Sequence, residues 1–185
     1  MDELGPICIK SGPVYWNRSG GAGPCLYNWS DENGSVLQAW HFNGSTFDPS
    51  CAVSQATIPS PAAHAGGVLT VSASGGTPNT AIVWASMPLS SDGENGAQQG
   101  VLRAFTADNL SQELWDSNVN AARDAMGYWP KFSPPTVANG RVYMASLPSD
   151  GMGTGYVVVY GLLNTTYPPA VGEVMAPVLQ LLLLN

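Results

Sequence analysis

Charged side chains are scarce in this chain of 185 residues, because Asp, Glu, Lys and Arg together make up 10% of it, against roughly 25% in an average soluble domain. The few basic residues are dispersed along the chain: Lys10, Arg18, Arg103, Arg123, Lys131 and Arg141. A surface that binds nucleic acid needs a stripe of such residues to displace phosphate counterions. The net charge of -7 therefore reflects missing cations, and the sequence excludes nucleic acid as a partner.

Long hydrophobic runs are also missing. The most apolar stretch, Val178 to Leu184, falls well short of the roughly 20 residues that span a bilayer, even when it is counted from Val174. Residues 1–10 lack the basic start and the apolar run of a signal peptide. The sequence therefore predicts no membrane span. For residues 166–185 it predicts an apolar tail with a final strand, or the opening of a truncated segment.

Histidine is nearly absent, since His41 and His64 are the only two in the chain. A Ser-His-Asp triad would have to use one of them, and no Gly-x-Ser-x-Gly elbow is present to position a serine. His41 falls in an alternating stretch, and His64 falls in a Pro- and Gly-containing link. We expect structural roles for both, and we assign no catalytic residue.

The three cysteines, Cys8, Cys25 and Cys51, all lie in the first third of the chain, without CxxC spacing or paired histidines. This pattern does not predict a metal site. In an oxidising compartment it predicts one disulfide and one remaining thiol. We expect the pair Cys25–Cys51, because both fall inside one apparent repeat, although spacing leaves the other pairings open. The expected location is extracellular or periplasmic.

Glycine and proline are abundant, with 21 and 15 residues, and they separate short apolar stretches throughout the chain. Alternating stretches bounded by Gly, Pro, Asn and Asp are typical of antiparallel strands. The predicted strands are Pro13–Trp16, Pro24–Trp29, Val36–Phe42, Gly67–Ala73, Ala81–Met87, Gly100–Ala107, Glu113–Asp116, Pro135–Val137, Arg141–Ser146 and Tyr156–Leu162. Only Asn118 to Met126 favours a helical turn, which Gly127 and Pro130 would end.

The predicted strands fall into three similar groups that recur on the order of every 50 to 60 residues, a period typical of stacked four-stranded blades. The sequence thus predicts an all-β fold, a β-propeller segment of about three four-stranded antiparallel blades over residues 12–165, preceded by a tail at 1–11. Propellers close with four to eight blades, so three blades form an incomplete ring. Remaining blades or other copies of the chain are the expected partners.

Two segments resemble the PQQ-type repeat of quinoprotein-like propellers. Gly100–Trp115 is similar to its strand of the form G-x-L-x-A-x-D that turns into a short strand ending in Trp, and Pro134–Ser146 is similar to the entry strand pair of the next blade. The Asn120–Asp124 stretch also fits this group. The resemblance covers about Gly12 to Leu163 and implies the carboxy-terminal blades of a bacterial secreted protein.

Quinoprotein dehydrogenases hold PQQ over a Trp, bind calcium through Glu and Asn or Asp, and use an Asp as base; one branch carries adjacent cysteines. This chain has no adjacent cysteine pair, and we match none of its residues to those ligands or to the base. We therefore expect a non-catalytic scaffold or binding module for a carbohydrate or protein ligand. The alternative is part of a PQQ-dependent oxidoreductase whose cofactor site lies largely outside this chain. A carbohydrate-active enzyme would need two carboxylates across a pocket, and no adjacent pair indicates one.

The loop Ser90–Gly96 carries Asp92, Glu94 and Asn95, whose oxygens are the ligands that calcium prefers. The spacing does not fit an EF-hand, so we expect a solvated turn. The tryptophans are expected to fill the wedges between blades. Those assigned to strands in this way are Trp40, Trp84 and Trp115.

The segment from Arg123 to Lys131 concentrates charge and aromatic rings in a chain that is otherwise poor in charge. Loops on one face of a scaffold commonly carry its binding residues, and an aromatic ring with an arginine can stack on a sugar or a peptide side chain. Arg123, Asp124, Tyr128 and Trp129 are therefore a candidate ligand-face loop. The alternative is structural: Arg123 pairs with Asp124, and Trp129 fills the core.

Overall fold

The computed structural model describes residues 10–20, 23–32, 34–48, 55–61, 66–93, 95–148 and 154–161, and the backbone of 175–177. Regular structure in these ranges is almost entirely β strand. The strands are β1 Val14–Trp16, β2 Cys25–Asn28, β3 Gln38–Phe42, β4 Phe47–Asp48, β5 Val68–Ser72, β6 Ile82–Pro88, β7 Gly100–Thr106, β8 Glu113–Asp116, β9 Thr136–Ala138, β10 Arg141–Ser146, β11 Tyr156–Gly161 and β12 Met175–Pro177. The helix α1 covers Ala121–Asp124.

The strands form three four-stranded sheets in chain order: sheet 1 contains β1 to β4, sheet 2 contains β5 to β8, and sheet 3 contains β9 to β12. Consecutive strands pair antiparallel, with one exception: β12 pairs parallel to β11. The all-β fold of four-stranded, blade-like sheets is confirmed. The third sheet departs from the expected antiparallel pattern only at this outermost strand. The described residues do not form a closed ring.

Sheet 2 lies between the other two sheets, and its central strands β6 and β7 are apolar on both faces. Every residue of β6 is buried, and alternate residues of a strand point to opposite faces of the sheet. Val83 and Phe105 pack in one hydrophobic cluster with sheet 1. Ile82 and Leu102 pack in a second cluster with sheet 3. Burial of both faces explains the nearly continuous apolar sequence of β6.

The first strands of successive sheets are neighbours, since β1 contacts β5 and β5 contacts β9. In a sheet of sequential antiparallel strands, the start of the first strand and the end of the second lie at the same end. The links between sheets therefore share one end with the β2–β3 and β6–β7 loops, and we name this end the linker face. The opposite end, with the β1–β2 and β7–β8 turns, is the hairpin face.

All ten strands expected from the alternation are present, with bounds that differ by at most two residues. β4, which is only two residues long, was not predicted. β12 lies in the apolar end, where a final strand was one of the two alternatives. The helical turn is shorter than expected. The outer boundaries of the domain remain a prediction, because residues 1–9, 162–174 and 178–185 are outside the described residues.

The strand tryptophans do not all share one environment. Trp84 is buried in the cluster between sheets 2 and 3, and Trp115 packs against that cluster, as expected for wedge residues. Trp40 lies on the other side of its strand from the buried Ala39. It therefore points away from sheet 2, and its indole NH is buried without a hydrogen-bond acceptor among the described residues. The alternation of apolar residues places Trp40 in the sheet but does not show which face of the sheet packs against a neighbouring sheet.

Candidate functional site

A cleft opens on the linker face where segments beside sheets 1 and 2 meet the link into sheet 3. Its enclosed volume is about 10 Å³, about the space of one water molecule, so a larger ligand would lie across its mouth. The lining residues come from the start of sheet 1, the β2–β3 loop, the start of sheet 2 and the link into sheet 3. They include Lys10, Trp29, Asp31, Val68, Trp129 and Phe132. A ligand bound here would contact several sheets at once.

Trp29 forms one wall of the cleft and also fills the core between sheets 1 and 2. It is fully buried, its indole NH donates to the Ser35 carbonyl oxygen at 3.1 Å, and its ring meets the edge of Phe105 at 5.9 Å between centroids. Gly67 allows this packing, because a Cβ there would lie 2.9 Å from Trp29 Cε3. The wall is thus held in place by the core.

Trp129 forms the facing wall and is 3% exposed. Its indole NH donates to Ser86 Oγ at 3.1 Å, and its ring contacts Phe132 edge to face at 5.9 Å. Gly93 lies against the ring, where a Cβ would come within 2.6 Å of Trp129 Cε3. Phe132 is 46% exposed, so it is the aromatic ring of this wall that a ligand can reach.

An ion pair lies in the same cleft, with Lys10 Nζ 3.1 Å from Asp31 Oδ2. The Asp31 side chain is only 4% exposed, and the Lys10 side chain is 29% exposed. Apolar rings beside a paired ammonium and carboxylate offer a stacking surface together with a hydrogen-bond donor and acceptors. This combination suits a ligand with apolar CH faces and hydroxyl groups.

Arg123 and Asp124 form a two-point ion pair, in which Arg123 Nε donates to Asp124 Oδ1 at 2.5 Å and Nη2 donates to Oδ2 at 2.7 Å. The Asp124 side chain is fully buried, whereas that of Arg123 is 41% exposed. The hydrogen bond with Asp124 raises the pKa of Arg123 above its ordinary value. Both carboxylate oxygens are thus engaged, which is the arrangement expected for a structural pair.

Tyr128 is half-buried and connects sheets 2 and 3 through its backbone, which forms isolated bridges to Gln99 and Leu147. Its carbonyl oxygen accepts hydrogen bonds from Leu147 N at 3.1 Å and from Ser146 Oγ at 3.2 Å. The candidate ligand-face loop therefore separates into two parts. Asp124 and Trp129 are buried, and Arg123 is its exposed charged residue.

The remaining candidate residues are placed as follows. Asp92 accepts hydrogen bonds from the backbone and side-chain nitrogens of Asn95, at 3.2 and 2.6 Å, within its own turn. His41 lies on β3. Cys25 is disulfide-bonded, but Cys8, Cys51, His64 and Glu94 lie outside the described residues, so the pair Cys25–Cys51 stays a prediction.

Among the described residues, no group of three or more His, Cys, Asp or Glu side chains could hold a metal ion. Within the same ranges, no helix is long and apolar enough to cross a membrane. No protein-family model, curated protein or solved structure matches the chain.

Sequence reasoning missed the cleft, although it singled out Trp129. Lys10, Trp29 and Phe132 come from three distant segments, and no local spacing relates them. The helpful signal was the repeat itself. Once links between sheets are assigned to one face, residues in those links become candidates for a shared site.

A phenol buried beside the Arg123–Asp124 pair makes stability sensitive to alkaline pH. Tyr160 is fully buried and its OH donates to the Asp124 carbonyl oxygen at 3.1 Å. Burial raises the pKa of Tyr160 above its ordinary value, and the Asp124 carboxylate raises it further. The folded state therefore holds the Tyr160 proton more tightly than the unfolded state. The resulting contribution to the free energy of unfolding is complete below about pH 10 and is lost as pH rises above it.

We expect Tyr160→Phe to lower the unfolding free energy by about 1 kcal/mol at pH 7, through the lost hydrogen bond. Above about pH 10 the gap between variant and wild type should narrow, because the variant has no phenol to ionise there. Urea unfolding followed by circular dichroism at several pH values between neutral and alkaline measures both effects. Parallel pH profiles for the two proteins would contradict the assigned role of Tyr160.

Proposed function

We propose that this chain is a non-catalytic scaffold or binding module, built from PQQ-type repeats, that acts outside the cytoplasm and binds its ligand in the cleft on the linker face. The observation that carries the proposal is the meeting of segments of sheets 1 and 2 with the link into sheet 3 at one aromatic cleft, which also holds the Lys10–Asp31 ion pair. The disulfide at Cys25 supports an oxidising compartment, where such bonds persist.

The ligand class follows from the cleft's surface. Phe132 offers an exposed ring, which can stack on the CH face of a sugar, and the Lys10–Asp31 pair can exchange hydrogen bonds with hydroxyl groups. A soluble neutral oligosaccharide is therefore the ligand that we propose. The buried Trp29 and Trp129 support the walls of the cleft and are not the contacting surface.

The test is a melting-temperature measurement with a set of neutral oligosaccharides and, separately, with PQQ plus Ca²⁺. A ligand that binds only the folded state raises the melting temperature, so we expect a rise with at least one oligosaccharide. A rise with PQQ plus Ca²⁺ alone would instead support the quinoprotein alternative. No rise with either would contradict ligand binding in this cleft.

A pair of matched substitutions then locates the site. Phe132→Ser should weaken oligosaccharide binding roughly three- to tenfold, which corresponds to the loss of one aromatic contact. Val119→Ser is the control, because Val119 is 74% exposed in the turn before α1 and does not line the cleft. Calorimetric titration of both variants measures the affinities. Equal weakening by both substitutions would place the binding site elsewhere.

A further inference from the structure

Sheet 1 presents an apolar face that points away from sheet 2. Trp16, Tyr27 and Ala39 are buried in the cluster with sheet 2, so the residues that alternate with them point to the other side. Tyr15 pairs with Leu26, and Leu26 pairs with Trp40. These three side chains therefore form one cross-strand row, in which Tyr15 is 54% exposed.

The row continues toward the hairpin face. Phe42 lies two residues after Trp40 on the same side of β3 and pairs with Phe47 on β4. The two rings are 5.2 Å apart between centroids and are 41% and 47% exposed. We name this surface, formed by Tyr15, Leu26, Trp40, Phe42 and Phe47, the outer face of sheet 1. Contiguous apolar surface of this kind is uncommon on monomers and typical of interaction sites.

Sheet 3 has a corresponding outer face. Val142, Met144 and Val158 are buried against sheet 2, so the alternating residues point outward. Tyr143 pairs with Val159, and Ala145 pairs with Val157, which is 59% exposed. The apolar pairs of this surface, Tyr143–Val159 and Ala145–Val157, define the outer face of sheet 3.

The two interfaces inside the chain show how these outer faces can be covered. Sheet 2 contacts sheet 1 with one face and sheet 3 with the other, and β1, β5 and β9 follow one another as neighbours. The interfaces are thus successive examples of one head-to-tail contact. The outer face of sheet 1 is equivalent to the face of sheet 2 that packs on sheet 1. The outer face of sheet 3 is equivalent to the face of sheet 2 that packs on sheet 3.

We propose that the outer face of sheet 1 binds the outer face of sheet 3 of a second copy of this chain, and that the reciprocal contact closes a two-chain ring of six sheets. Continuity with the head-to-tail interfaces within the chain identifies the occupant. Six sheets lie within the four to eight that close a propeller. Closure also covers both outer faces at once, whereas a single heterologous contact would leave two of them open. The proposal does not depend on ligand binding in the cleft.

Sedimentation or light scattering of the purified chain at micromolar concentrations tests the proposal. The expected mass is twice the 19.3 kDa of one chain. Tyr15→Glu and Val157→Glu each place a charge at an exposed position on one of the two faces, and each should give a monomer. Val119→Glu is the control, because Val119 is 74% exposed in the turn before α1, and it should remain a dimer. Circular dichroism melts verify that each variant is folded.

An equimolar mixture of the Tyr15→Glu and Val157→Glu variants should recover part of the dimer, because one of the two reciprocal contacts is then intact. A monomeric wild type would overturn the proposal. A dimer that Val157→Glu leaves unchanged would also overturn it, because sheet 1 would then pair with itself. Open polymers without a dimer would overturn it too. So would a dimer that dissociates only when it is reduced in denaturant, because that dimer would be linked by a disulfide.

Discussion

Replacing Trp129 with alanine should lower the unfolding free energy by about 3–5 kcal/mol, the range found for large aromatic residues removed from protein cores. The indole is 3% exposed, packs against Gly93 and donates to Ser86 Oγ. The substitution removes the ring and leaves a cavity between sheets 2 and 3. Because whole domains are stabilised by about 5–15 kcal/mol, the substitution removes a large fraction of the total stability. Urea denaturation measures the loss.

The Trp129→Phe variant separates packing from hydrogen bonding. Phenylalanine keeps an aromatic ring in the core but leaves Ser86 without the indole donor, so a smaller loss of about 1–3 kcal/mol is expected. In a Ser86→Ala background, the proteins with phenylalanine and with tryptophan at position 129 should differ less in their free energy of unfolding. A double-mutant cycle measures this difference. A cost below about 1 kcal/mol for Trp129→Ala would contradict the burial of this ring and reopen its assignment as a ligand-contacting residue.

The second large effect is expected for Asp108→Ala on the hairpin face, with a loss of about 3–5 kcal/mol. Arg18 Nη2 lies 2.7 Å from Asp108 Oδ1, and the two side chains are 14% and 7% exposed. Asp108 Oδ2 also accepts a hydrogen bond from Asn79 N at 2.8 Å. Removal of the carboxylate leaves the Arg18 guanidinium largely buried beside an apolar core, and that uncompensated charge dominates the cost. Thermal or urea unfolding provides the measurement.

Glu113→Ala is the matched control for the buried pair. Glu113 Oε1 accepts from Arg103 Nη1 at 2.7 Å, but Asp116 Oδ2 lies 3.5 Å from the same nitrogen and remains as a partner. The Glu113 side chain is also more exposed, at 24%. A loss below about 1 kcal/mol is therefore expected. Similar losses for Asp108→Ala and Glu113→Ala would show that the link between sheets 1 and 2 does not depend on a buried charge.

The sequence predicted the strands because two local signals agreed. Apolar residues alternate along most strands, and Gly, Pro, Asn and Asp mark the turns between them. β6 departs from alternation and is still found, because an unbroken apolar run between turns fits a strand buried on both faces. β4 carries too few residues for either signal, and its position depends on pairing with β3.

The candidate site was less accessible to sequence reasoning because its residues meet only through the stacking of sheets. Arg123 beside Asp124 and Trp129 looked like a binding loop on composition. The burial of Asp124 depends on its contact with Tyr160 of sheet 3, and that of Trp129 on its contact with Ser86 of sheet 2. Local sequence contains no information on such contacts. The same limit applies to Lys10 and Asp31, because their spacing in the sequence does not predict that they form an ion pair.

The close approach of glycines to the two cleft tryptophans constrains the order in which this sequence can evolve. Gly67 lies against Trp29 and Gly93 lies against Trp129, so that a methyl group at either glycine would overlap the ring. A mutation of Gly67 is therefore deleterious while the Trp29 ring is present and can become neutral only after that ring has been replaced by a smaller side chain. At Gly93 an added methyl group would also overlap Pro88 Cγ, at 2.5 Å. Gly67 and Trp29 are therefore epistatic, and in diverging lineages Trp29 should be lost before Gly67, whereas a change at Gly93 requires changes at both Pro88 and Trp129.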